Sequence, residues 1–389
     1  MKRFLTAAAV SAATVLAVSC AKERTSDTNE AAKRYFDAWV TVQKETHPEY
    51  LWEKTGNGVY LLEDEQIEDG DIVTDSSYVF VYYVYTDLEG NILGTNSEEL
   101  AHKTDMDYDI SNYYGPATWT NSDAGLNVGV RDVISGMTIG GQRKAVVPSW
   151  LSTATRYGSE EEFLANVTDG SNSIYDITIV DATNDILLYQ RDSMDRYWKR
   201  NIQHIDPDNS GATESQPYTG PDGIVFQEKW DTAYTGFLFR QYFNNLDKDE
   251  NGSPAMSFED DTTLYINYTG RLLYGPRAGQ VFNTTIADTA KVHNIYNAAR
   301  SYEPVEIKWS SDSTAISMGG STDLINGFKS MLKHLHNEEA GDEEKFTAGE
   351  KAVAIFYSSL GYGYSGSGSL IPGFAPLRFD ITVVKQEEE

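Results

Sequence analysis

The sequence contains a single cysteine, Cys20, among its 389 residues. A lone cysteine excludes a disulfide within the chain, so the fold depends on packing and hydrogen bonding alone. Histidine is also scarce, with six residues. No metal site and no cofactor is implied by the sequence.

Positive charge is the second scarcity. Lysine and arginine together number 31 against 59 aspartates and glutamates, which gives a formal net charge of −28. Such a chain repels phosphate backbones, so binding to nucleic acid is excluded. Acidic residues also keep an exported protein soluble, and the charge therefore names no partner.

Long hydrophobic runs are absent except at the amino terminus, where Lys2 and Arg3 precede an apolar run over residues 4–18. This run is shorter than the roughly 20 residues of a membrane-spanning helix and is typical of a secretory signal. Its end resembles a bacterial lipoprotein signal, which implies removal of residues 1–19 and lipidation of Cys20. We therefore expect a membrane anchor in the bacterial cell envelope. The periplasmic face of the outer membrane is the preferred location, and exposure at the cell surface stays open as the alternative.

The length of the chain predicts two domains, because a single core stops growing near roughly 250 residues. Apolar residues at spacings of three and four predict a helix over 30–45 and a second helix over 185–202. A stretch rich in Pro, Gly, Ser and Asn follows over 206–223 and is the best boundary. We predict a tether and helix over 20–50, one domain over 51–184, a helix and linker over 185–220, and a second domain over 221–389.

The most informative stretch is 349–381. Apolar and β-branched residues predict strands over 351–357 and 377–383, joined by a loop rich in Gly and Ser. That loop carries Tyr362, Ile371 and Pro372. Upstream stand four further segments in order: Tyr268-Thr269-Gly270, Phe282-Asn283, Val305 with Ile307, and Leu324-Ile325-Asn326-Gly327-Phe328.

Together these segments closely resemble the FKBP-type peptidyl-prolyl cis-trans isomerases. The resemblance implies an α+β fold in which an antiparallel sheet wraps around a short helix. Three positions depart from the family pattern: Asn283 replaces Asp, Val305 replaces an aromatic residue, and Phe328 replaces Trp. The resemblance implies a site for a prolyl ring, formed by Tyr268, Phe282, Asn283, Val305, Leu324, Ile325, Phe328, Tyr362, Ile371 and Phe379.

Individual roles also follow from the resemblance. The backbone N–H of Ile325 and the hydroxyl of Tyr362 would donate to carbonyls of the bound peptide, and Ile371 would cover the ring. Asn283 can form a hydrogen bond but cannot supply a carboxylate. The implied substrates are proline-containing polypeptides, and the implied role is to assist the folding of exported or outer-membrane proteins.

The chain also resembles two diverged copies of one unit, each preceded by an accessory helix. The strand starts match at Gly58-Val59-Tyr60 and Gly223-Ile224-Val225-Phe226, and the strand ends at Tyr85-Thr86 and Tyr268-Thr269. Three longer matches are 92–95 with 281–284, 126–130 with 324–328, and 174–178 with 378–382. In the first copy Leu93 replaces Phe, Asn127 replaces Ile and Val130 replaces the aromatic floor. We therefore expect this copy to be degenerate, without the prolyl pocket, and to serve as a scaffold or binding module.

Two alternatives stay open. The fold could serve as a non-catalytic subunit of an envelope protein assembly, which the three departures from the family pattern favour. Tyrosine-rich strands such as 78–83 could instead form a glycan-binding surface, although strands favour tyrosine in any case.

Overall fold

The computed structural model describes residues 29–104, 108–110, 112–120, 126–166, 170–201, 218–219, 225–229, 240–243, 256–337 and 351–384. The signal over 1–19, the lipidation site Cys20 and most of the boundary at 206–223 lie outside these residues. The described residues divide into two compact units, one within Met1–Asp107 and Pro116–Asn184, the other within Tyr108–Gly115 and Asp185–Glu389. None of the described helices is long and apolar enough to cross a membrane.

The first unit is an antiparallel sheet with helices on both faces. Its strands run β1-β2-β6-β7-β3-β4 across the sheet, and β5 also pairs with β3. The elements are α1 (Asn29–Thr46), β1 (Glu53–Lys54), β2 (Tyr60–Glu65), β3 (Tyr78–Thr86), β4 (Ile92–Thr95), α2 (Glu98–Lys103), β5 (Ala117–Thr120), α3 (Val128–Ile134), β6 (Gln142–Val147), α4 (Glu160–Asn166) and β7 (Ser173–Thr183).

Two apolar clusters hold the helices of the first unit against its sheet. Val130, Val133 and Ile134 of α3 pack against inward-facing residues of β3 and β7, among them Val81 and Ile177. On the other face, α1 packs through a separate cluster of Phe36, Val40, Leu62, Leu88 and Val146. Each fully buried aliphatic or aromatic side chain contributes about 1.5–3 kcal/mol relative to an exposed one.

The second unit repeats this plan. Its strands run β15-β14-β12-β18-β17-β10-β9-β8, and β13 also pairs with β12. The elements are α5 (Ile186–Asn201), β8 (Tyr218–Thr219), β9 (Val225–Lys229), β10 (Arg240–Phe243), β11 (Met256–Ser257), β12 (Thr263–Leu272), β13 (Val281–Thr284), α6 (Ala287–Val292), β14 (Val305–Lys308), β15 (Ser317–Met318), α7 (Asn326–Lys333), β16 (His336–Asn337), β17 (Lys351–Phe356) and β18 (Leu377–Val384).

The predicted α+β class, with antiparallel sheets and a helix ahead of each unit, is confirmed. The two units also match in register. Ile177 lies opposite Tyr83, and Ile381 lies opposite Tyr268. The hydroxyl of Thr95 donates to the backbone carbonyl of Tyr83 at 2.8 Å, as Thr284 does to Tyr268 at 3.0 Å. The sheets are therefore two copies of one unit down to single side-chain contacts.

This register corrects two of the sequence matches. The counterpart of Tyr268 is Tyr83 and not Tyr85, because Tyr83 is the residue opposite Ile177. Tyr83 and Tyr85 are two residues apart on the same face of β3, so the Tyr-Thr pair alone does not fix the register. The match of residues 58–60 with residues 223–226 is also wrong at Val225 and Phe226, the two positions of the second segment that the structure describes. β2 lies beside β6, whereas β9 is one strand further out than β10, the strand that pairs with β17.

Candidate functional site

Five aromatic rings gather on the face of the second sheet that α7 covers, and Phe379 lies at their centre. Ring centroids are 5.0 Å from Phe379 to Phe328, 5.6 Å to Phe282, 5.9 Å to Phe356 and 6.3 Å to Tyr268. Most of these pairs are tilted or edge-to-face, the arrangement that ring quadrupoles favour. All five side chains are buried, so they form an apolar wall from which water is excluded.

Strand register and two glycines allow the rings to approach so closely. Phe379 on β18 lies opposite Gly270 on β12 and Ala354 on β17, two residues with little or no side chain. A Cβ atom at Gly270 would meet the ring of Phe282 at 2.6 Å, and one at Gly327 would meet the ring of Phe356 at 2.5 Å. Larger residues at these glycines would separate the rings.

Helix α7 begins beside this wall. Ile325 is its N-cap residue, with an extended backbone at φ −62° and ψ 144°. Among the described residues the backbone N–H of Ile325 donates to no carbonyl, which leaves it free for a ligand. The side chains of Leu324 and Ile325 are half-buried, and Phe328 is buried one turn further on. The start of α7 thus combines an apolar surface with a hydrogen-bond donor.

A loop between β17 and β18 forms the rim and carries Tyr362 and Ile371. Ser367 and Ile371 exchange backbone hydrogen bonds at 2.8 and 3.2 Å. Gly366 makes this turn possible, since its φ is +66° and a Cβ atom there would collide with the carbonyl of Ile371. The loop is therefore held in shape by its own hydrogen bonds, and only 5 % of the surface of Ile371 is exposed.

Tyr362 differs from the other aromatic residues because its side chain is 36 % exposed. Burial of the remainder, with a smaller contribution from the nearby Tyr268, raises the pKa of Tyr362. The hydroxyl is therefore a neutral hydrogen-bond donor at physiological pH. Tyr364, two residues further along, is 74 % exposed and serves as a natural comparison.

Asn283 lies on β13 directly opposite Gly270. Its Oδ1 atom is buried and accepts no hydrogen bond from the described residues. A buried amide oxygen without a partner costs free energy, and it is a natural place for a ligand to donate. Val305 is half-buried and lies opposite Ile266, two residues before Tyr268 on β12. It therefore shares a sheet face with Tyr268.

One residue that supports this site, Gln190, was not predicted from the sequence. Gln190 of α5 is 2 % exposed. Its Nε2 donates to Ser358 Oγ at 3.0 Å and to the carbonyl of Phe374 at 2.9 Å, and its Oε1 accepts from the backbone N–H of Ser358 at 2.9 Å. Gln190 thus fixes both ends of the rim loop. Its signal in the sequence is a polar residue on the helical stripe that includes Ile186 and Met194.

The comparisons with known proteins fall into two groups. No family model matches the chain, and no curated protein matches its sequence. Among solved structures, the three FKBP domains of wheat FKBP73 cover 85 % of this chain and 95 % of that chain, at 13 % identity and a TM-score of 0.22. FkpA from Escherichia coli covers 46 % and 70 %, at 15 % identity and a TM-score of 0.27.

A peptidyl-prolyl cis-trans isomerase from Pseudomonas syringae is a further similar structure. It covers 51 % of this chain and 92 % of that chain, at 18 % identity and a TM-score of 0.24. Wheat FKBP73 thus contains FKBP domains, and the Pseudomonas syringae protein is a peptidyl-prolyl cis-trans isomerase. Scores this low carry no argument about activity, which depends on the residues of the site.

Proposed function

We propose that the second unit is a peptidyl-prolyl cis-trans isomerase of the FKBP type. One arrangement carries the proposal: an apolar wall centred on Phe379 lies beside two hydrogen-bond donors, the Ile325 N–H and the Tyr362 hydroxyl. A prolyl ring fits against the wall, while the donors fit carbonyls of the residues that flank it. Sites of this kind combine apolar walls with a few polar groups that fix orientation.

Such a site needs neither a nucleophile nor a metal for this reaction. Rotation about a peptide bond faces a barrier of about 18–20 kcal/mol because resonance keeps the amide planar. Contact with the apolar wall takes water away from the carbonyl of the X–Pro amide, which belongs to the residue before proline, and disfavours the charge-separated planar form. Binding the twisted amide more tightly than either planar isomer then accelerates exchange in both directions.

The proposed substrates are proline-containing segments of exported or outer-membrane proteins. Lipidation of Cys20 would hold the enzyme on the periplasmic face of the outer membrane. This part of the proposal is supported by the apolar run over 4–18 that ends at the only cysteine. Uncatalysed isomerisation takes tens to hundreds of seconds, which is slow enough to limit folding in that compartment.

The test is proline-limited refolding of a model protein in the presence of the full chain. We expect acceleration of the slow phase. Tyr362→Phe should lower catalytic efficiency about fivefold, which corresponds to a hydrogen bond of about 1 kcal/mol. Tyr364→Phe is the matched control on the same loop and should have no effect. A slow phase that stays unchanged at high enzyme concentration would rule out the isomerase.

A second candidate is a non-catalytic subunit of an envelope protein assembly. The observation that favours it is Asn283, an amide where the family pattern has a carboxylate, with Oδ1 left without a partner among the described residues. This candidate predicts that the chain binds a proline-containing peptide without exchanging its isomers. The refolding assay separates the two, because only a catalyst shortens the slow phase.

A further inference from the structure

The first unit has an open cleft at the place that corresponds to the ring cluster of the second unit. Its volume is about 210 Å³, and seven described residues line it: Tyr83, Tyr85, Trp119, Leu126, Asn127, Val130 and Tyr175. Strand register shows that Tyr83 corresponds to Tyr268 and Tyr175 to Phe379. The matching helix starts show that Asn127 corresponds to Ile325 and Val130 to Phe328. The residues of the prolyl site are replaced in this copy, yet a cleft remains at their place.

The same comparison explains why this site is open. Val130 has a smaller side chain than the phenylalanine at its counterpart. Leu93, which stands where the buried Phe282 stands, is 47 % exposed and does not fill the space. Tyr85 takes the position of Gly270 and adds a ring to the wall. The pocket is thus rebuilt from other residues, and its shape differs from that of the second unit.

The lining is aromatic and uncharged. Tyr83 stacks on Trp119 with centroids 5.1 Å apart, and Tyr85 stacks on Tyr175 at 5.3 Å. Burial raises the pKa of Tyr83 and raises that of Tyr175 to about 12, so both phenols stay neutral in the cell. None of the seven side chains carries a charge. An ionic ligand would find no counterion on these walls.

Asn127 supplies the polar group of the cleft. As N-cap of α3 it makes no side-chain hydrogen bond to the helix. Its Nδ2 reaches the hydroxyl of Tyr175 at 3.5 Å, the outer limit of a hydrogen bond. An amide that is held so weakly can turn to a peptide group, to which it offers a donor and an acceptor.

We propose that this cleft binds one aromatic side chain of an uncharged, extended polypeptide segment. The volume is sufficient, since a cavity of about 150 Å³ holds benzene. The stacked walls offer ring faces and edges to a phenyl group, and Asn127 can bind the adjacent backbone. The first unit is therefore a holding site for unfolded chains, and it is independent of isomerisation in the second unit.

The test uses the full chain and the blocked peptide acetyl-Gly-Phe-Gly-amide, followed by saturation-transfer NMR. We expect saturable binding that Val130→Phe weakens at least tenfold, because the larger side chain would occupy the cleft. Val180→Phe, at an exposed position of β7, is the matched control and should leave binding unchanged. Prolyl isomerisation should be unaltered in both variants, which separates this proposal from the proposed function.

Further probes decide the ligand class. The Ala analogue of the peptide should bind at least tenfold more weakly, and maltotriose should not compete. If Val130→Phe fails to fold, Trp119→Leu replaces it, with the same expected loss and with circular dichroism as the check on folding. Binding that survives the cavity-filling variant, equal affinity for the Ala peptide, or competition by maltotriose would each overturn the proposal.

Discussion

Replacement of Gln190 by leucine should loosen the rim loop and destabilise the second unit. The side chain is 2 % exposed and makes three hydrogen bonds, two of them to Ser358 and one to the carbonyl of Phe374. Leucine has a similar size, so the core stays filled. The perturbation therefore isolates hydrogen bonding from packing.

The magnitude follows from what is left unpaired. The N–H of Ser358 belongs to a residue that is 4 % exposed, so its loss of a partner costs about 1–3 kcal/mol. The carbonyl of Phe374 belongs to a half-buried residue that water can reach, so loss of its hydrogen bond to Gln190 costs about 0.5–1.5 kcal/mol. We expect a total of about 1.5–4.5 kcal/mol.

Calorimetric thermal unfolding of the full chain measures this effect. Gln190→Leu should lower the melting temperature of the second unit by about 3–18 °C, at about 2–4 °C per kcal/mol for a domain of this size. Asp192→Ala, on the solvent side of the same helix with a side chain that is 64 % exposed, is the control and should shift it little. Equal melting temperatures for the two variants would refute the account of how α5 holds the loop.

Three further predictions concern substitutions at single residues. Gly366→Ala should destabilise the chain by more than about 2 kcal/mol in urea unfolding, because a positive φ and a collision with Ile371 add together, whereas Gly368→Ala, at φ +56° with open space, should cost only about 1–2 kcal/mol. Asn283→Ala should change the free energy of unfolding by less than about 1 kcal/mol, because Oδ1 has no partner in the described residues to lose; a larger loss would reveal one. Burial raises the pKa of Tyr175 from an ordinary value of 10.0 to about 12. The stability that the buried, neutral phenol contributes is therefore complete below about pH 10 and is lost as the pH rises toward 12. Urea unfolding should show this loss in the wild type and less of it in Tyr175→Phe.

Much of the fold follows from the alternation of apolar residues. Strands were predicted over 351–357 and 377–383, and the structure has them at Lys351–Phe356 and Leu377–Val384. The helix predicted over 30–45 is observed at Asn29–Thr46. Strand β18 and helix α1 have one face in a core, and a period of two or 3.6 residues records that burial in the sequence. Strand β17 is buried on both faces, and its signal is a continuous apolar run.

Contacts between neighbouring strands were harder to predict from the sequence. The match of Tyr85 with Tyr268 was wrong because Tyr83 and Tyr85 lie two residues apart on the same face of β3, so identity at one position does not fix the register. The cleft of the first unit was missed for a related reason. Loss of aromatic residues at 93 and 130 was visible in the sequence, but the contribution of Trp119 depends on strand pairing.

Gln190 shows that contacts between residues far apart in the sequence are also hard to predict. Its position on the buried stripe of α5 is visible as a polar residue four positions after Ile186 and four before Met194. Its partners, Ser358 and Phe374, are more than 160 residues away in sequence, at separations of 168 and 184. Helical periodicity identifies the buried face but cannot name what that face contacts.

The central claim is that the second unit exchanges prolyl isomers with the help of the Ile325 N–H. The most direct measurement is exchange NMR on a neutral X-Pro peptide with the full chain and two variants. Ile325→Pro removes the N–H at a φ of −62° that proline adopts without strain, while Ile325→Val keeps it. We predict fast exchange with the wild type and Ile325→Val, and a loss of about tenfold or more with Ile325→Pro. Equal exchange rates for all three chains would contradict the account.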